Sequence, residues 1–195
     1  MNRVLKQIAS YNRLFKAHKL INKGMGIVMK KLLAVLVLCL FVFSGCSFFQ
    51  RPLRYSEAIQ KEGVMLEAHK RNWGANDYSR DFWCGNKYVI NYDGTMTVTI
   101  YYNLSGEFTD TFTLSKKEYM EIYEFAFDGA INHKYDDIEI RACDGTGWTF
   151  TYTDSVDSEP IRFYYGYIYG VKDMEHVEAI VDSYAQQIDV TLIES

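Results

Sequence analysis

Apolar and polar positions alternate through much of this chain, and twice the period changes from two to nearly four. Residues 87–91 and 95–102 flank Tyr92-Asp93-Gly94. A two-residue Asp-Gly turn would set Met96, Val98 and Ile100 beside Asn91, Val89 and Lys87, mixing polar with apolar. A three-residue loop with Gly94 in the left-handed conformation instead pairs Ile90 with Met96 and Tyr88 with Val98. That gathers one apolar face and leaves Asn91, Thr95 and Thr97 outside. Register follows the hydrophobic pattern, so the pattern predicts the three-residue loop with a bulge. Residues 107–114 continue the meander. Ser115-Lys116-Lys117-Glu118 is a capping box and predicts a helix start. Tyr119, Ile122, Tyr123 and Ala126 fall at helical spacing as its buried stripe, and Asp128-Gly129 is its expected end.

The second half reads similarly. Ile138, Ile140 and Ala142 alternate with Glu139 and Arg141. After Asp144-Gly145-Thr146, Trp148, Phe150 and Tyr152 alternate with Thr149 and Thr151, which predicts another hairpin. Residues 154–160 form a polar loop. Ile161, Phe163, Tyr165, Tyr167 and Tyr169 make a further period-two row. Gly170 leads into a last helix with Met174, Val177, Ile180, Val181 and Tyr184 as its stripe. Asp173 and Glu175 sit in its first turn, where the helix dipole favours acids. A short strand is expected at 190–193. Residues 56–70 read either as a helix interrupted at Gly63 or, from Val64 to Trp73, as a first strand. The order predicts an α+β domain over 57–195, an antiparallel sheet of meanders packed by two helices in the order strands, helix, strands, helix.

Ahead of this domain lies "MKKLLAVLVLCLFVFSGC", residues 29–46. Lys30 and Lys31 precede an uncharged apolar run at 32–43, the length of a signal-peptide core rather than of a membrane span. Ser44, Gly45 and Cys46 follow. These residues resemble a bacterial lipoprotein signal, with Phe43 where the lipobox usually has Leu. The resemblance implies that the Cys46 thiol receives a diacylglyceryl group and that peptidase removes 29–45, leaving Cys46 as the mature N-terminus and 46–56 as a lipidated tether. Two or more acyl chains suffice for stable anchoring. The alternative is a signal-anchor helix, since 32–49 is uncharged throughout. Both readings place the domain on the extracytoplasmic face of the cell membrane. Residues 1–28 hold Arg3, Lys6, Arg13, Lys16, Lys19 and Lys23 and no acid. They read as a long basic leader or as a start assigned upstream of Met29, and the second is preferred.

Charge changes the picture once the leader is set aside. Eight of the 21 Lys and Arg and none of the 25 Asp and Glu lie in 1–46, so the remainder stands at −12 rather than the −4 of the whole chain. A body this acidic is a poor partner for nucleic acid or anionic headgroups. Of the 4 cysteines, Cys39 leaves with the signal and Cys46 is the lipid site. Cys84 and Cys143 remain, and in an oxidising compartment they suggest one disulfide. Parity works against it, since Cys84 shares the inward face of Tyr88 while Cys143 falls with Glu139 and Arg141. Two buried thiols are the alternative.

No strong catalytic pattern stands out. His69, His133 and His176 lack partners at metal-ligand spacing. Asp136, Asp137 and Asp144 lie near strand ends and could serve as acid and base in an envelope hydrolase, collect calcium, though their spacing matches no EF-hand loop, or act as backbone-bonded turn residues. No metal and no cofactor is expected. The aromatics are the better lead. Trp148 and the Tyr165, Tyr167, Tyr169 row read mainly as core. Tyr164 and Ile168, of opposite parity, would then be left uncovered and mark a surface for a protein or glycan partner. The segment 88–184, with Asp144-Gly145…Trp148 and "YGYIYG" at 165–170, also resembles small uncharacterised domains on Gram-positive lipoproteins, which implies this architecture and no activity. The sequence therefore favours a non-catalytic binding module over a hydrolase or a structural spacer.

Overall fold

The computed structural model describes residues 50–74, 77–140 and 145–192. Cys46 and the whole leader, Cys143 and Asp144 lie outside the described residues. The chain runs α1 (Tyr55–Ala58), β1 (Val64–Asn72), β2 (Trp83–Asn91), β3 (Thr95–Tyr102), β4 (Gly106–Thr113), α2 (Lys116–Ala130), β5 (Thr146–Tyr152), β6 (Ile161–Gly166) and α3 (Lys172–Ala185). The strands form one open antiparallel sheet in the order β4-β3-β2-β1-β5-β6, so the fold is α+β. Val64–Asn72, ambiguous in the sequence, is a central strand.

The β2–β3 hairpin has the register its hydrophobic pattern requires, with Ile90 opposite Met96, Tyr88 opposite Val98 and Gly94 at φ 85°. Of the strand expected at 138–142, residues 141 and 142 lie outside the described residues. Residues 138–140 carry no strand, because both edges of β5 are taken: Lys70 of β1 and Gly166 of β6 flank Trp148. Nor is there a strand at 190–192.

One sheet face is apolar. Leu66, Ala68, Tyr88, Ile90, Met96, Val98, Trp148, Phe150 and Tyr152 are buried beneath Tyr119, Ile122, Tyr123, Ala126, Val177 and Val181 of the helices. The capping box of α2 forms as read, Ser115 Oγ accepting from Glu118 N–H and Glu118 Oε2 from Ser115 N–H. The helix does not stop at Gly129, however. A β-carbon there would lie 2.3 Å from the Phe163 ring. Gly129 is the seat for that ring, and the helix runs on to Ala130.

The other sheet face has small and polar side chains. Thr111, Thr97, Val89, Glu67, Thr151 and Arg162 form a continuous row across all the strands. An antiparallel sheet tolerates such a face toward water. The β4 edge is long and regular, a template for pairing with another chain. Its guard is Asp110, which lies opposite buried Val98 on the core side of the sheet yet remains exposed. Asp110→Val should remove that guard. We expect concentration-dependent self-association by light scattering where the parent chain shows none; an unchanged profile would place the protection elsewhere.

Candidate binding surface

The aromatic rows resolve at a bulge. Thr151 pairs with Arg162 and Phe150 with Tyr164, so Phe163 is an extra residue in β6. A bulge turns two successive side chains toward one side. Phe163 and Tyr164 both point inward, with ring centroids 5.9 and 6.2 Å from that of Phe150. The expectation of an exposed Tyr164 is therefore corrected: it is 6% accessible, and its hydroxyl donates to the Tyr167 carbonyl. The chain leaves the strand at Gly166, with φ 150°. Strict alternation ends there, and Ile168 is drawn into the core. Trp148 and Tyr167 are buried as well, so of the expected patch only Tyr165, at 62%, and Tyr169, at 56%, face solvent.

Trp73 completes a cluster that the sequence reading missed. Its ring lies 5.5 Å from Tyr165 and 5.1 Å edge-on from Tyr167, which in turn stacks on Tyr169 at 6.0 Å. Two contacts fix Trp73. Its backbone N–H donates to the Gly145 carbonyl at 2.9 Å, and its ring lies so close to Gly147 that a β-carbon there would approach within 2.6 Å. The available signal was Gly147 itself, since a lone glycine in a strand pattern marks a close approach. Tyr167 is the cluster's buried floor; Trp73, Tyr165 and Tyr169 are its accessible surface.

At the same end of the sheet, on the helix side, lies a cleft of about 360 Å³ lined by Lys70, Trp83, Asn86, Ile100, Tyr102, Thr146, Asp182, Ala185 and Gln186. The period of β1 turns Lys70 inward, one step beyond Ala68. There its ammonium meets Asp182 and, at 2.9 Å, Glu178, both from α3. It also lies 5.4 Å from the centre of the Trp148 ring. A hydrogen-bonded chain continues from this ion pair. Tyr88 Oη donates to Asp182, Asn86 Nδ2 donates to Tyr88 Oη at 2.7 Å, and Trp83 Nε1 donates to Asn86 Oδ1 at 2.7 Å. Burial opposes the charge on Lys70, but its hydrogen bonds and charge contacts with Asp182 and Glu178 outweigh that and raise its pKa. Burial, with the Asp182 charge beside it, pushes the Tyr88 phenol far up, so it stays a donor.

The other candidates are more dispersed. Asp136 and Asp137 are exposed in a turn, Asp136 paired at 3.1 Å with His133 Nδ1. His176 is exposed on α3, with Nε2 3.2 Å from Glu121. Cys84 is a half-buried free thiol whose pKa is raised by burial and by the Asp81 charge. Among the described residues no cluster of three or more His, Cys, Asp or Glu side chains is placed to hold a metal, and no helix is long and apolar enough to cross a membrane. Compared with known protein families, with curated proteins and with solved structures, the chain matches none.

Proposed function

We propose that this chain is a lipid-anchored extracytoplasmic lipoprotein whose domain is a non-catalytic binding module. The anchor is a diacylglyceryl group on Cys46, and the domain stands on the outer side of the cell membrane. The observation that carries the binding reading is the surface of Trp73, Tyr165 and Tyr169 over Tyr167. Three large rings left accessible at one sheet end keep apolar area in water, and that area becomes favourable only when a partner covers it. Rings packed against one another and against backbone have little rotamer freedom left to lose on binding. The acidic body directs the choice of partner away from polyanions and toward envelope peptide or glycan.

Two measurements test the two parts. The intact mass of the protein extracted from its native membrane should equal residues 46–195 plus diacylglyceryl, with or without a further acyl group. A mass retaining Met29 or Met1 would overturn the anchor. Retention on isolated cell-wall material should fall at least about tenfold, equivalent to 1.4 kcal/mol, when Trp73, Tyr165 and Tyr169 are all replaced by Ala. Retention unchanged by that triple substitution would overturn the surface.

A further inference from the structure

We infer that the cleft beneath α3 is a second, separate binding site, and that it accepts one ring of a neutral sugar. The inference does not depend on the Trp73 surface, and its argument is one of chemical fit. The cleft has apolar walls, Trp83, Ile100, Tyr102 and Ala185, and a polar floor and rim, Lys70, Asn86, Asp182, Thr146 and Gln186. A few convergent polar groups set among apolar ones is the general form of a small-ligand site.

Each simpler ligand class meets an obstacle. An anion needs an uncommitted cation, but Lys70 is shared between two carboxylates, leaving the trio one negative charge in excess. A cation meets the Lys70 ammonium already seated between those carboxylates. A wholly apolar ligand would cover the exposed Gln186 amide and the partly exposed Asp182 carboxylate without offering either a hydrogen bond, and burying polar groups without one is costly. A polyhydroxylated ring meets both demands. Its C–H face carries slight positive charge and suits the negative face of an indole or phenol ring. Its hydroxyls both donate and accept, so they match Asp182 as acceptor and the Asn86 and Gln186 amides as either.

The hydrogen-bonded chain adds preorganisation. Asn86, only 8% accessible, is held from both sides by Trp83 Nε1 and Tyr88 Oη. Asp182 is held by Lys70 and Tyr88. Asn86 and Asp182 are thus fixed before a ligand arrives, which reduces the ordering that opposes binding.

The chain's 3 tryptophans provide the readout. Trp83 lines the cleft, Trp73 belongs to the exposed cluster, and Trp148 lies in the core, so their indole N–H signals report the three places separately. The full chain, ¹⁵N-labelled and held in detergent micelles, is titrated with glucose, galactose and N-acetylglucosamine, and in parallel with glucuronate and glucosamine. At least one neutral sugar should shift the Trp83 indole and an Asn86 side-chain amide signal saturably, whether or not Trp73 also moves, with the two charged sugars weaker. Tyr102→Ala and Gln186→Ala should each weaken that binding about tenfold, with an unchanged Trp148 signal showing that the core is intact. No movement of Trp83 with any neutral sugar would overturn the site. Tighter binding of glucuronate or glucosamine would overturn the neutral assignment. Movement of Trp73 alone would assign sugar to the exposed cluster and leave the cleft without it.

Discussion

Phe150→Ala is expected to remove about 3–5 kcal/mol of stability, the usual range for deleting a buried aromatic. Phe150 is fully buried, near the middle of β5, with the core-facing side chains of β1 and β6 on either side. Its ring meets Phe125 edge-on at 5.0 Å, stacks with Trp148 at 5.2 Å and with Phe163 at 5.9 Å, and touches Tyr164. These contacts join α2 to β5 and β6, the last two strands of the sheet order. The gap left by Ala would be hard to close. Across the strand stands Ala68, too small to fill it, and Phe163 is held against Gly129. Domains of this size are stable by about 5–15 kcal/mol in total, so the loss would leave many molecules unfolded in mild denaturant. Urea titration should show a much lower midpoint with an unchanged slope. Thr149→Ala, one residue away on the open face, should lie within about 0.5 kcal/mol of the parent. A loss under about 1 kcal/mol for Phe150→Ala would mean that α2 does not close over the sheet as described.

The same residues show where sequence patterns carry information and where they stop. Hairpin β2–β3 was legible because one face is apolar and a one-residue slip would expose it; only one register survives that test. The start of α2 was legible because a capping box is local chemistry. Its end was not, because Gly129 answers to Phe163, more than thirty positions away. The bulge at Phe163 was invisible for a related reason. After Arg162 the run Phe163-Tyr164-Tyr165 is wholly aromatic, so no polar residue marks the position where parity changes, and strict alternation, which β6 does not keep, sends Tyr164 to solvent. Residues 138–140 carry no strand because alternation says that a segment suits a sheet, not that a sheet edge is free. The cleft was missed since its parts come from β1, β2, β3, β5 and α3, and Lys70 gives no local hint that it faces inward. Only the period of Leu66 and Ala68, carried one step further, points there.

That inward turn of Lys70 leads to the second large effect. Two lysines of this sheet hold carboxylates at nearly equal distance: Lys70 meets Glu178 at 2.9 Å, and Lys87 meets Glu67 at 2.8 Å. They differ in the face they occupy. The Lys70 side chain is 15% accessible under α3, whereas Lys87 is 31% accessible on the open face. Removing one member of a desolvated pair costs about 3–5 kcal/mol, since the partner charge stays behind in a poor solvent. Lys70 and its partners are only partly buried, so about 2–3 kcal/mol is expected for Lys70→Met at pH 7. Lys87→Met should cost under about 1 kcal/mol, because Glu67 is screened by water and keeps His69 at 2.8 Å. Charge neutralisation of the partner should separate the electrostatic part. Lys70→Met with Glu178→Gln should recover part of the loss, because one of the two stranded carboxylates is gone while Tyr88 still donates to Asp182. The raised pKa of Lys70 sets the pH window. A lysine whose folded pKa exceeds its unfolded value stabilises fully below the ordinary lysine range and loses that contribution as pH rises through the folded pKa. The penalty of Lys70→Met should therefore be constant from neutral pH to about 9 and shrink above about 10.5, the ordinary lysine value. Urea titrations of both variants at neutral and alkaline pH decide the matter. Equal penalties for the two lysines would show that Lys70 stands in water, and the cleft would lose its preorganised floor.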